Sequence, residues 1–364
     1  VEIDSLLSIM RDKNASDMFL RPKSVPRLRL MRKVIPMEGA EELSIEDINA
    51  FVQEIAPEHA LRTFEQEKDV DFTFYRDNIG RFRASLFFQR NNPAIVLRCI
   101  REIPQSFEEL NMPSDVLGSL CRQERGLILL TGTTGSGKST TIAAMLQYIN
   151  SSMNKHILTL EDPIEFVFSD NKSIFNQRSV GFDVKNYAVG LKQAILQSPD
   201  IIYIANIRDL ETMRAAISAA ELGVLVFATL HTNNAVESIE KIINFFPPHQ
   251  AVEVRRQISL LLKGLISLRL LPRKGGDGLV PAYEIMIQTP SIVRLVRDNE
   301  IQDIPRYLED GDIYGMCSFK QSLVKLVKSG IIDKGTALSS SDSKDDLSLS
   351  LADGQEGMNI TYNT

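Results

Sequence analysis

The stretch GTTGSGKST, residues 132–140, constrains this chain more than any other. It satisfies G-x-x-x-x-G-K-[ST], a pattern that about 1% of chains this long would match by accident, so its flanks decide whether it is a motif. They fit: GLILLT (126–131) reads as a buried strand leading in, and STTIAAMLQYIN (139–150) as a helix leading out. A strand, glycine-rich loop and helix in that order belong to a parallel α/β sheet, where ligands sit beyond the carboxyl ends of the strands.

The residue types explain the chemistry. Gly132, Gly135 and Gly137 let the backbone wrap closely round phosphate oxygens and aim N–H groups at them. The helix starting near Lys138 adds its positive dipole end. Lys138 brings a mobile cation to the outer phosphates, and Ser139 offers its hydroxyl to Mg²⁺. The expected cradle for ATP and Mg²⁺ is therefore Gly132, Thr133, Thr134, Gly135, Ser136, Gly137, Lys138, Ser139 and Thr140, with Ser139 as the metal ligand.

Three more apolar runs end abruptly in polar side chains. HILTLEDPIE (156–165) ends with Glu161, Asp162 and Glu165. IIYIANIRD (201–209) passes from four apolar residues to Asn206, Arg208 and Asp209. VLVFATLHT (224–232) ends with Thr229, His231 and Thr232. A histidine alone is more often a satisfied structural residue, but three polar strand ends following a phosphate loop favour a functional reading. Glu161, Glu165, Asn206, Arg208 and His231 are accordingly candidate catalytic residues.

The length of 364 residues suggests two domains. Residues 1–103 read as a small α/β domain with helices over 44–55 and 57–67, the first opened by a Ser44/Asp47 capping box. DVDFTFY (69–75) and GRFRASLFFQ (80–89) alternate, placing Val70, Phe72, Phe74, Phe82, Ala84, Leu86 and Phe88 inward. RDNIG makes the turn of a hairpin, and AIVLRCI (94–100) is a third strand. EIPQSFEELNMPSD (102–115) reads as the linker, and residues 116–336 as strands alternating with helices. In that second domain VRRQISLLLKGLISLRLL (254–271) is expected as one long helix. Residues 337–364, rich in Ser and Asp, bury too little to offset ordering and are expected to be disordered, with LSLSLA a weaker alternative strand.

Composition limits the partners. The net charge of −6 is spread along the chain without a basic block, so no nucleic-acid partner and no DNA translocase is expected. No apolar run reaches the roughly 18 residues of a membrane helix, and the amphipathic VEIDSLLSIMRDK start is unlike a signal peptide. Cysteines 99, 121 and 317 are scattered, which disfavours disulfides and zinc. These features point to a soluble cytoplasmic protein.

Taken in order, ASDMFL, GRFRAS, FFQRNNPAIVLR, the phosphate loop, LEDPIEF, NQRSVG, IRDLETMRAA, ATLHTNNA and IINFFP resemble the PilT/PilU family of type IV pilus retraction ATPases. The resemblance covers about residues 1–335, and FFQRN, HTNNA, INFFP and the Ser/Asp-rich tail are closer to its PilU-type branch. It implies a PAS-like N-terminal domain and a RecA-like ATPase domain. It further implies a ring of six subunits on the cytoplasmic side of the inner membrane, which turns ATP hydrolysis into rotation of a membrane platform protein and withdraws pilin. A PilT-type paralogue is a further implied partner. Glu161 and Glu165 resemble the acidic box and His231 the TLHT box, and arginines on the N-terminal strands are implied to reach the γ-phosphate. Arg83 and Arg98 are the first choices, with Arg81 next; Arg81 and Arg83 project from the polar face, where a plain solvated surface is the alternative.

The chain departs from that pattern where it matters. The family usually has Gly-Glu, the glutamate activating water, where this chain has Ala205-Asn206. An amide can hold water through its carbonyl oxygen but cannot accept the proton, and losing a general base costs about 10²- to 10⁴-fold in rate. The family often has Gly-His where this chain has Gly223-Val224, and Phe19 replaces another histidine. The Asn206 and Val224 changes are expected to lie near one site. Two classes of function follow: a weak motor ATPase, with Glu161 a substitute base, or a nucleotide-binding coupling subunit on an active ring.

Overall fold

The computed structural model describes residues 2–13, 15–30, 33–100, 103, 106–276 and 278–356, with 353–356 in backbone outline. Contacts divide the chain into two compact units, residues 1–102 with 163–167, and residues 103–162 with 168–364.

In the first unit, α1 (Ile3–Asp12) buries Ile3, Leu6, Leu7 and Met10, a stripe at helical spacing. β1 (Asp17–Leu20), β2 (Arg27–Leu30) and β3 (Lys33–Pro36) follow, then α2 (Ile45–Ile55) and α3 (Glu58–Glu67), then β4 (Asp69–Arg76), β5 (Gly80–Gln89) and β6 (Asn92–Ile100). Among the described residues these strands form one antiparallel sheet in the order β3-β2-β1-β6-β5-β4. The Ser44/Asp47 box exists: Asp47 N–H donates to Ser44 Oγ at 3.0 Å, and Ser44 N–H to Asp47 Oδ2 at 2.8 Å. Val70, Phe72, Phe82, Ala84 and Leu86 are buried as the alternation requires. Phe88 differs: it is 40% exposed and stacks on Phe64 at 4.9 Å, because the end of β5 reaches past the core to the close of α3.

The second unit opens with α4 (Ser114–Cys121), β7 (Gly126–Thr131), α5 (Lys138–Ser152), β8 (His156–Glu161) and β9 (Ile174–Ser179). α6 (Tyr187–Ile195), β10 (Ile201–Ile204), α7 (Leu210–Glu221), β11 (Leu225–Leu230), α8 (Ala235–Asn244) and α9 (Ala251–Leu261) continue it. β12 (Leu262–Pro272) and β13 (Leu279–Ile287) complete the sheet; α10 (Pro290–Asp298), α11 (Ile304–Glu309), α12 (Phe319–Lys328), α13 (Lys334–Ser340) and α14 (Lys344–Glu356) close the chain. The sheet order is β13-β12-β7-β11-β10-β8-β9; all neighbours are parallel except β12 and β13. β7, β10 and β11 are buried along their whole length, as central parallel strands covered on both faces are.

Three expectations are corrected. The run 254–271 is not one helix: α9 stops at Leu261, and Leu262 turns extended into β12. A run apolar on every face cannot distinguish buried helix from buried strand; unpaired edges of β7 and β13 decide it. Gly264 lets α4 approach, since a Cβ there would sit 2.7 Å from Leu120 Cδ2.

The second concerns the linker, 104–115, of which 104 and 105 lie outside the described residues. It belongs to the second unit, where Phe107 and Met112 are buried and Phe107 packs on Tyr148 of α5 at 5.4 Å.

The third is the tail. Residues 337–340 and 344–356 are helical rather than disordered, and 357–364 lie outside the described residues. Ala337, Leu347 and Leu351 are buried with Leu271, Val280, Phe319 and Leu323. Arg269 anchors the segment: its guanidinium donates to both Asp342 oxygens at 2.9 and 2.8 Å and to the Ser340 carbonyl at 2.8 Å, 3.9 Å above the Phe319 ring. Few apolar residues suffice here because an apolar surface already awaits them.

Candidate functional site

The phosphate loop leaves β7 at Thr131 and enters α5 at Lys138. Gly132, Gly135 and Gly137 all have positive φ (141°, 77° and 98°), as the motif's use of glycine requires. At Gly132 space is also decisive, because a Cβ would collide with the Ser136 side chain and lie 2.5 Å from the Leu268 carbonyl oxygen. Thr133, Thr134 and Gly135 are exposed at the loop's crest, while Ser139 and Thr140 lie half-buried in the first turn of α5. α5 has no side-chain cap, so its leading N–H groups face the loop's concavity unclaimed by a capping residue.

Lys138 is only 8% exposed, and its ammonium donates to the carbonyls of Gly132 and Thr133 at 2.7 and 2.8 Å. Ser136 Oγ is buried with no hydrogen-bond partner. Positive φ glycines, uncapped amides, an unsatisfied hydroxyl and a buried cation fit a polyphosphate, with Ser139 placed to supply a hydroxyl to Mg²⁺.

The neighbouring strand ends converge on this loop. Ala205 N–H bonds to the Leu160 carbonyl at 2.9 Å, and Ile207 N–H to the Thr229 carbonyl at 3.0 Å, so Asn206 is held between the ends of β8 and β11. Asn206 is 7% exposed; its Nδ2 lies 3.3 Å from His231 Nε2, and its buried Oδ1 has no partner. Partial burial, then the cations Lys138, Arg208 and Lys241, hold the His231 imidazole below its ordinary value, so the ring is neutral at pH 7. Lys241 also ties the loop, donating to the His231 carbonyl at 3.1 Å.

Glu161 ends β8 at 4% exposure, accepting from Thr159 Oγ1 at 2.6 Å and from Gln177 Nε2 at 3.2 Å. Sequence reasoning missed both partners. Thr159 was legible, since residues two apart on a strand share a face; Gln177 comes from β9, and nothing local marks it.

The other expected residues have the following places in the fold. Glu165 is exposed in the segment 163–167 that groups with the first unit. Val224 is not near the loop, contrary to expectation: it precedes β11 and accepts from Gly126 N–H at the start of β7. That is the opposite end of the sheet from Gly132, about 20 Å away along six strand residues. Parallel pairing places every strand entry at one edge and every exit at the other, so Val224 and Asn206 do not share a site.

Arg81, Arg83 and Arg98 belong to the first unit. Arg29, Asp17, Arg98 and Arg83 form a cross-strand row over β2, β1, β6 and β5. Asp17, buried, accepts from Arg98 Nε at 2.9 Å and Arg29 Nε at 3.1 Å, and Asp71 accepts from Arg83 at 2.6 Å. Arg81 lies two residues from Arg83 on the same strand face. The phenylalanine face is the core and this one is polar, as the alternation requires.

The family described as "Type II/IV secretion system protein" matches residues 7–298. The chain is 36% identical over 356 residues to "Type IV pilus ATPase PilU" of Pseudomonas aeruginosa, covering 98% of this chain and 93% of that one. It is 37% identical over 337 residues to "Type IV pilus retractation ATPase PilT" of the same bacterium, covering 93% and 97%. Among solved structures it resembles "Crystal Structure of the Pilus Retraction Motor PilT and Bound ADP", with a TM-score of 0.87, 39% identity, and coverage of 96% of this chain and 99% of that one.

Proposed function

This chain belongs to the type II/IV secretion system protein family, in its PilT/PilU branch, and from that premise we propose that it is an ATP-binding motor of type IV pilus retraction with slow hydrolysis. The carrying observation is the convergence of the Lys138 loop, Glu161 and the Asn206–His231 pair at one sheet edge. Mg²⁺ on Ser139 supplies charge neutralisation when ATP is bound. Lys138 meets the outer phosphate oxygens in place of the loop carbonyls, and Asn206 Oδ1 accepts a hydrogen from the attacking water. Glu161 takes the proton in place of the missing glutamate. The penalty, about 10²- to 10⁴-fold, is that of a displaced general base.

The remaining elements of this reading rest on kinship. Arg83, Arg98 and Arg81 reach a γ-phosphate across a boundary in a ring of six, Arg83 released from Asp71 and Arg98 from Asp17 as they do so. The ring works in the cytoplasm against an inner-membrane platform protein. Among the described residues no helix is long and apolar enough to cross a membrane, which suits a peripheral role.

The amide at position 206 favours a second reading, in which the chain binds nucleotide and couples a PilT-type partner without useful turnover. Calorimetry with Mg²⁺ and a non-hydrolysable ATP analogue, followed by steady-state phosphate release, tests both. No heat of binding sinks both readings, and turnover near about 1 per second, the range of slow kinases, removes the second.

A further inference from the structure

The strand that delivers the phosphate loop also begins a lateral polar row. Thr131, the residue before Gly132, pairs with Ser267 on β12, and Ser267 pairs with Glu284 on β13. All three are buried, and cross-strand partners share a face. Thr131 Oγ1 donates to Ser267 Oγ at 3.0 Å, Ser267 Oγ to Glu284 Oε1 at 3.4 Å, and Ala235 N–H to the same carboxylate oxygen at 2.7 Å.

Ala235 is the first residue of α8, entered directly from the loop carrying His231. The side chain of Asn234 caps the Glu237 amide, and Glu284 takes the amide of Ala235. A carboxylate is favoured there, because the leading amides of a helix lack partners and its dipole is positive. One side chain from the edge of the sheet therefore joins the root of the phosphate loop to the root of the histidine loop.

We propose that Glu284 is a positioning residue of the nucleotide site: its carboxylate fixes the start of α8, and with it the His231 loop, against the strand that carries the phosphate loop. This rests on the nucleotide reading above. Glu284 touches no reacting atom and acts through Ala235, Ser267 and Thr131.

The surroundings make its charge conditional. Burial is the largest influence and pushes the carboxyl up to about 7; Ala235 N–H, Arg269 and Ser267 favour the charge, while Asp342 opposes it. The Cys317 thiol, itself raised by burial, also feels the Glu284 charge. The native carboxyl holds a proton between about pH 4.5 and 7 that the unfolded chain has lost. Its contribution to stability is thus full below 4.5 and lost as pH rises through 7. Its grip on Ala235 runs the other way, since an ionised acceptor makes the stronger bond. A merely structural role would give one trend; a positioning role gives opposed trends in stability and in loop order.

The test uses the full chain and Glu284→Gln, which keeps shape and one oxygen but not the charge. Amide-exchange protection factors for residues 231–238 are measured from pH 5.5 to 8.5, alongside thermal midpoints and the kcat and KM of phosphate release. In wild type, protection at Ala235 should rise about tenfold as pH passes through 7, as expected for gaining a charge-assisted bond. In Glu284→Gln it should stay at the low-pH level, with kcat about tenfold lower, KM little changed and the midpoint at pH 8 raised. Equal protection in both proteins at every pH overturns the proposal. Should Glu284→Gln fold poorly, Glu284→Asp, charged but shorter, carries the same comparison. If wild type binds no nucleotide, exchange still reads the grip of Glu284, so the two failures are distinct results.

Discussion

Nδ2 of Asn206 lies 3.3 Å from Nε2 of His231, donating to the ring nitrogen and leaving the amide oxygen buried without a partner. The imidazole is thereby an acceptor at Nε2 with its proton at Nδ1, consistent with the burial and the three cations that keep it neutral. The pair thus presents one acceptor oxygen, from an amide.

Replacing Asn206 by Glu should restore a proton acceptor at that point. We expect phosphate release to rise by about 10²-fold or more, with analogue affinity changed little. The added charge should also raise the His231 pKa, which ring-proton NMR would follow. An Asn206→Glu protein no faster than wild type would remove position 206 from the proton path.

Gly132→Ala should abolish nucleotide binding and lower stability together. The new Cβ meets Ser136 and the Leu268 carbonyl at a φ of 141°, and overpacking of this kind costs about 1–3 kcal/mol. Calorimetry and thermal melting check the two effects. Lys138→Ala, which removes a side chain and leaves the turn free of strain, should lose binding with a smaller change in melting.

The His231 ring gives a pH dependence of known sign. Its folded pKa lies below the unfolded 6.5, so the unfolded chain binds more protons in that window, and stability falls as pH drops below 6.5. Above 6.5 both states are neutral and the contribution is flat. The melting difference between His231→Gln and wild type should therefore shift in favour of the variant as pH falls from 7 toward 5.

Leu347→Ala tests the docking of the final helix. Leu347 is fully buried among Leu271, Val280 and Leu323, and truncation of such a leucine costs about 2–5 kcal/mol. A denaturant midpoint unmoved by the change would mean that α14 contributes nothing to the fold.

Much of this architecture could be read locally. The phosphate loop, its flanking strand and helix, the Ser44 box and the 69–89 hairpin all depend on residues near one another in sequence. The readings that changed required distant partners. Leu262 to Pro272 becomes a strand because β7 and β13 offer unpaired edges, and the segment 337–356 folds into the end of α13 and α14 because Arg269 and a ready apolar surface receive it. Val224 left the site because parallel pairing sends strand entries and exits to opposite edges.

By itself the sequence determined that a glycine-rich loop joins a buried strand to a helix and that position 206 carries an amide. Glycine's allowed φ range and a side chain's proton chemistry are properties of the residue, wherever it sits. Only the tertiary structure decided that Asn206 meets His231, that Gln177 supports Glu161, and that Glu284 spans two loops. Those relationships join residues 16 to 49 positions apart along the chain, and strand register, which no local preference encodes, is what brings them within hydrogen-bond reach.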